Sequence, residues 1–177
     1  MNNIIIVEDR LGRGISLAEQ FMELSESHPE WEIDVLAICY FQASKKKSDE
    51  EIEACGQQQF TIRRISLWDF DDVMDEYTDP EGANAIAVID FMLDGDGSGG
   101  FPMRRVNIRY ARRTDENRKR RLWFYTGTGI ENKKILCQLV GREQVLDVDD
   151  VGDSFLRLNL EKEELTEALQ GNVLALV

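Results

Sequence analysis

Ala85-Ile-Ala-Val-Ile-Asp90-Phe-Met-Leu-Asp94-Gly-Asp-Gly-Ser-Gly-Gly100 is the stretch on which the reading of this chain turns. Its first five residues are continuously apolar, with β-branched side chains at Ile86, Val88 and Ile89, the pattern of a short strand covered on both faces of a parallel sheet. Asp90 ends the run. Open α/β sheets gather their chemistry just outside the carboxyl ends of the strands, so a carboxylate here is a candidate functional group. Gly95, Gly97, Gly99 and Gly100 follow within a few residues and favour turns over regular structure.

Asn3-Ile-Ile-Ile-Val7 repeats the pattern and ends in Glu8 and Asp9, so two strands deliver acids from their C-terminal ends. Gly12 and Gly14 suggest a turn, and Ile15, Leu17, Ala18, Phe21, Met22 and Leu24 then recur at helical spacing until His28-Pro29. Trp31 to Tyr40 reads as a strand, Ser48 to about Cys55 as a short helix opened by a capping box, Phe60 to Ile65 as a strand, and Asp69 to Tyr77 as a helix ended near Asp79-Pro80. A βαβ unit is complete in roughly thirty residues, so the region from about 41 to 83 holds more than one crossover needs. An extra βα element is expected there. Downstream, the pattern predicts a basic helix over Phe101 to Asn117, a strand over Leu122 to Tyr125, and a helix over Glu131 to Val140 stopped by Gly141. Gln144 to Val148 and Ser154 to Leu158 compete for the last strand, before a closing helix over Glu161 to Leu169.

Composition narrows the function classes. A chain of 177 residues suits one domain, here 1–177 with an insertion at about 41–83. Its apolar runs are too short to span a bilayer, and no basic, apolar leader opens it, which points to a cytoplasmic protein. Cys39, Cys55 and Cys137 are odd in number and lack paired spacing, so neither a disulfide framework nor a thiolate zinc site is expected. A net charge of −13 argues against general nucleic-acid affinity. The positive charge is nonetheless concentrated: Arg104 to Arg121 carries nine basic residues against Asp115 and Glu116. Such a run is a solvated helix face or a docking face for an acidic partner.

Strands ending in an acid pair, a single Asp and a Thr, in βα alternation, resemble the receiver domains of two-component response regulators. The resemblance rests on Val7-Glu8-Asp9, Val88-Ile89-Asp90-Phe91-Met92-Leu93 and Phe124-Tyr125-Thr126-Gly127, with Asp153 to Leu165 patterned like the last strand-to-helix junction. It implies a flavodoxin-like, doubly wound parallel α/β sheet with the extra βα insertion between its second and third strands. It implies that Asp90 is the phosphoacceptor and that Mg²⁺ is held by Glu8, Asp9, Asp90 and the Met92 backbone carbonyl. Thr126 would donate its hydroxyl to the phosphoryl group, and Phe155 stands where the family has its switch aromatic. The partners implied are a sensor histidine kinase or a phosphotransfer protein, and a homodimer is allowed.

The chain departs from that family in two places. Where the family has a lysine followed by proline, three residues after the aromatic, this chain has Leu158-Asn159, and no lysine lies between Lys134 and Lys162. Asp94 replaces the proline expected four residues past the acceptor, and with Asp96 it makes the loop more acidic. A degenerate receiver acting only as a protein-interaction module is therefore the alternative. A metal-dependent phosphatase or nuclease using Asp90, Asp94 and Asp96 is a third reading. A calcium loop starting at Asp94 fails, since Arg105 occupies the twelfth position, where a bidentate Glu is required. His28, the sole histidine, reads as a helix-end residue, and Trp31, Trp68 and Trp123 as core or rim packing.

Overall fold

A computed structural model describes residues 2–41, 60–92, 101–127 and 130–159. Within them a parallel sheet is formed by β1 (Asn2–Glu8), β2 (Ile33–Phe41), β3 (Ile62–Ile65), β4 (Ile86–Asp90) and β5 (Leu122–Tyr125), in the order β3-β2-β1-β4-β5. The helices are α1 (Leu11–Ser27), α2 (Phe70–Thr78), α3 (Phe101–Arg113), α4 (Glu116–Lys119) and α5 (Ile130–Leu139), and residues 151–159 form α6. β1 is central, paired with β2 on one side and β4 on the other.

The apolar alternation of the strands feeds two cores. Ile5, Val7, Cys39 and Ile89 pack under α2, α3 and α5, whereas Ile4, Ile6, Ile38 and Val88 pack under α1 and α6. The continuous apolar runs of β1 and β4 are thus explained by helices on both faces. Cys39 lies in the first core, and burial pushes its thiol up to about 12.

The α/β class is as expected, but the strand order is not the flavodoxin-like 2-1-3-4-5. β3 runs outside β2, in register from Ile38 opposite Ile62 to Phe41 opposite Ile65, and forms that edge of the sheet. At the other edge, Ser154 to Leu158 is helical rather than a strand. The competing segment, Gln144 to Val148, meets the sheet through one parallel bridge, Phe124 to Val145, with the Leu146 N–H donating to the Phe124 carbonyl at 2.8 Å. Phe155 explains the helix. It packs edge-on against Phe21 at 5.3 Å between centroids and tilted against Trp123 at 4.8 Å, so the apolar positions of this segment follow a helix face.

Several boundaries also moved. α1 begins at Leu11, so Gly12 and Gly14 lie inside the helix rather than in a turn. Gly14 is required by close approach, since a Cβ there would meet Ile38 Cγ2 at 2.8 Å. The basic helix predicted to Asn117 stops at Arg113, and Asp115 caps α4 by accepting from the Asn117 and Arg118 N–H groups. Trp68, expected as packing, is 90% exposed in the turn between β3 and α2. The helix expected from Ser48, the loop carrying Asp94 and Asp96, and the helix expected over Glu161 to Leu169 lie outside the described residues.

Candidate functional site

The strands on either side of β1 follow it in opposite directions along the chain: β2 and β3 to one side, β4 and β5 to the other. The crevice at the carboxyl ends of β1 and β4 is therefore the topological switch point, where open α/β sheets bind ligands. Alternation selects the side chains that meet there. Ile4, Ile6 and Val88 face α1 and α6, and two residues on, Glu8 and Asp90 continue the same phase. Val7 is opposite Ile89, which sets the next pair, Glu8 and Asp90, side by side. Asp90 is in turn opposite Tyr125, whose ring belongs to the α1 side of the core.

Glu8, Asp9 and Asp90 each offer a carboxylate oxygen within 4.8 Å of the others. They line a cleft of about 460 Å³ with Arg10, Arg13, Met92, Tyr125, Gly127, Val148 and Asp149. Glu8 is only 1% exposed, and its hydrogen bonds are extensive. Oε1 accepts the Asp9 and Arg10 N–H groups at 3.0 and 3.1 Å, and Oε2 accepts the Tyr125 hydroxyl at 2.6 Å. The Met92 N–H donates to Asp90 Oδ1 at 2.9 Å. Behind β4, the Asn107 side-chain amide of α3 donates to the Phe91 carbonyl at 3.1 Å and the Asp90 carbonyl at 3.3 Å, fixing the turn into Met92.

These surroundings set the charge of the cluster. At this separation two carboxylates repel by about 3 kcal/mol at an effective dielectric of about 20. Burial pushes Glu8 up to about 8; the neighbouring Asp9 and the charge of Asp90 add to the rise, against the Tyr125 hydroxyl and the Arg10 amide. Burial likewise pushes Asp90 up to about 6, helped by Asp9 and opposed by the Met92 amide and by Arg10 and Arg13. Tyr125 is raised well above its ordinary range by burial and by Glu8 and Asp90. Without a cation Glu8 holds its proton near neutrality. With one, all-oxygen donors of this kind suit a hard ion such as Mg²⁺ or Ca²⁺.

The structure brings Glu8, Asp9, Asp90 and Met92 to the wall of one cleft. Thr126 follows β5 directly and is buried, with Tyr125 and Gly127 on either side of it lining the cleft. Phe155 is placed elsewhere, in α6 among the apolar residues under β1 and β5. Leu158 packs against the same core from α6, and Val148 and Asp149 reach the cleft from the segment after the Val145 bridge. His28 follows the end of α1, its backbone N–H donating to the Leu24 carbonyl, and Nδ1 lies 3.2 Å from Glu30 Oε1.

Tyr125, Arg10, Arg13 and Asn107 were missed in the sequence. The phase shared by Trp123 and Tyr125 could have flagged the tyrosine; nothing local marks the other three. The basic run is partly absorbed by the acids of α2. Arg109 and Arg113 pair with Asp71 at 3.1 and 3.2 Å, and Arg113 and Arg118 pair with Asp75 at 3.3 and 3.2 Å. Among the described residues no helix is long and apolar enough to cross a membrane. Comparisons of the chain with protein-family models, with curated proteins and with solved structures gave no match.

Proposed function

We propose that this protein is a receiver-like signalling domain that accepts a phosphoryl group on Asp90 with Mg²⁺ held by Glu8, Asp9, Asp90 and the Met92 carbonyl. The observation that carries the reading is the convergence of the three carboxylates in a cleft at the switch point of a parallel sheet. The strand order supports it once β3 is taken as the inserted element. β2-β1-β4-β5 then reads as the 2-1-3-4 portion of a flavodoxin-like sheet, with the Val145 bridge in the place of its fifth strand.

In this reading the Met92 N–H orients the Asp90 carboxylate for in-line attack on phosphorus. The Oδ–P bond forms as the bond from phosphorus to the donor's leaving oxygen breaks, and that oxygen leaves with the electron pair. Mg²⁺, when bound, neutralises charge on the transferring group. Glu8, held by the Tyr125 hydroxyl and by the Asp9 and Arg10 amides, would be one of the ligands beside Asp9 and Asp90. Thr126, next to Tyr125, supplies a hydroxyl to the phosphoryl oxygens. The donor would be a sensor histidine kinase or a phosphotransfer protein. The exposed arginines of α3, among them Arg105 and Arg112, form the face for an acidic partner.

The test is to incubate the protein with Mg²⁺ and acetyl phosphate or beryllofluoride, following intact mass and amide NMR shifts in wild type and Asp90→Asn. An acid-stable, base-labile adduct absent from the variant is expected. Mg²⁺-dependent shifts without an adduct would overturn the acceptor role and leave an interaction module. Turnover of phosphate esters or nucleic acid that is lost in Asp96→Asn would favour a hydrolase instead.

A further inference from the structure

The cleft is not purely acidic. Arg10 and Arg13, from the residues that open α1, line it beside Glu8, Asp9 and Asp90. Arg10 is exposed, whereas Arg13 is half-buried and anchored. Its Nη2 donates to the Val148 carbonyl at 2.5 Å, a bond between residues 135 apart that ties the first turn of α1 to the opposite rim. Val148 and Asp149 complete the lining there. A guanidinium has five N–H donors in a fixed fork, so one bond to a carbonyl leaves the others for an anion. The charge of Arg13 also acts on two groups of the cleft, favouring the ionised forms of Asp90 and Tyr125.

The electrostatic balance decides what this arrangement is for. A cleft built only to hold a divalent cation gains from its carboxylates and loses from any arginine in its wall. A cleft that must also admit a phosphoryl group needs positive charge among its carboxylates. Arg13 comes from the helix after β1 and is held by the Val148 carbonyl, so it fixes that charge in the wall of the cleft. The chain has no lysine between Lys134 and Lys162, and the segment that forms this rim brings Val148 and Asp149 rather than a cation.

We propose that Arg13 is the residue that contacts the phosphoryl oxygens in this cleft, making small phosphodonors, and not a metal ion alone, its ligands. The inference rests on Asp90 being the acceptor. With acetyl phosphate, an Asp90 oxygen bonds to phosphorus, the bond from phosphorus to the acetyl oxygen breaks, and acetate departs with the electron pair. The phosphoryl dianion left on Asp90 then accepts N–H groups of Arg13, and no proton needs to move.

The experiment measures three quantities in wild type, Arg13→Gln and Arg13→Lys: Mg²⁺ affinity, beryllofluoride affinity at saturating Mg²⁺ by fluorine NMR, and the rate of adduct formation from acetyl phosphate. A charge-assisted contact predicts that Arg13→Gln weakens beryllofluoride binding about tenfold or more. Mg²⁺ affinity should be unchanged or higher in the same variant, because a like charge has been removed from the wall. Arg13→Lys should recover part of the beryllofluoride affinity. Equal beryllofluoride binding and adduct rate in wild type and Arg13→Gln would overturn the role of Arg13 while leaving Asp90 as acceptor. Parallel loss of Mg²⁺ and beryllofluoride binding would also overturn it, reducing Arg13 to a structural tie to Val148. A wild type that forms no adduct would remove the acceptor reading and this inference together.

Discussion

Tyr125 donates its hydroxyl to Oε2 of Glu8 at 2.6 Å, joining the ends of two strands that are not neighbours in the sheet. Both groups are buried, so the bond satisfies a carboxylate that could otherwise only be kept neutral or filled by a cation. Tyr125→Phe removes the donor without changing the ring. The expected loss is about 1–3 kcal/mol in denaturant unfolding of the metal-free protein, the cost of a buried acceptor left without a partner. Glu8 should then titrate higher still, which carbon-detected NMR of its carboxyl would read.

Stability of the metal-free protein should depend on pH through the same cluster. Glu8 rises from 4.5 to about 8 on folding, and Asp90 from 3.8 to about 6. Between those limits the folded chain binds more protons than the unfolded one, so stability from these groups is full in acid and is lost as pH rises toward 8. The loss is on the order of a few kcal/mol. Glu8→Gln should flatten the slope between pH 5 and 8 in denaturant titrations, and millimolar Mg²⁺ should restore stability to the wild type at pH 8. A wild type more stable at pH 8 than at pH 5.5 without metal, with the same slope in Glu8→Gln, would contradict the buried-cluster account.

Gly12 and Gly14 should respond with opposite signs to alanine. At Gly14 the new Cβ would lie 2.8 Å from Ile38 Cγ2, in a strand that cannot yield. Overpacking outweighs the helix gain, and a net loss of about 1–2 kcal/mol is expected. At Gly12 nothing lies within 4 Å, so alanine should stabilise by up to about 1 kcal/mol. Thermal unfolding of the pair would check both.

Phe155→Ala tests the docking of α6. The ring is 1% exposed and meets both Phe21 and Trp123, so truncation should cost about 3–5 kcal/mol. Because α6 also approaches α1 closely at Gly152, where a Cβ would lie 3.3 Å from Leu24 Cδ1, the cavity is not expected to collapse easily. Chemical denaturation followed by the fluorescence of Trp123 would report the change.

The apolar runs Asn3 to Val7 and Ala85 to Ile89, each ending in acid, were enough to predict two covered parallel strands and a carboxylate cluster, because continuous β-branched stretches have few other uses. The helix over residues 151–159 was harder. Ser154 to Leu158 is short and apolar enough for either structure, and the choice was made by the rings of Phe21 and Trp123 that Phe155 meets. The edge position of β3 was also beyond local reading, since parallel pairing depends on which neighbour has an open ladder and not on the strand's own residues.

By itself, the sequence determined the parallel strands β1 to β5, the α/β class and the three acids, all of which follow from periodicity and from which residue ends a run. Tertiary structure alone decided which groups would answer those acids. Tyr125 reaches Glu8 across 117 residues and Arg13 reaches Val148 across 135, contacts that arise only when strand alternation and sheet order bring distant side chains to one end of β1. Charge balance in the cleft depends on those long-range pairings, and no local pattern encodes them.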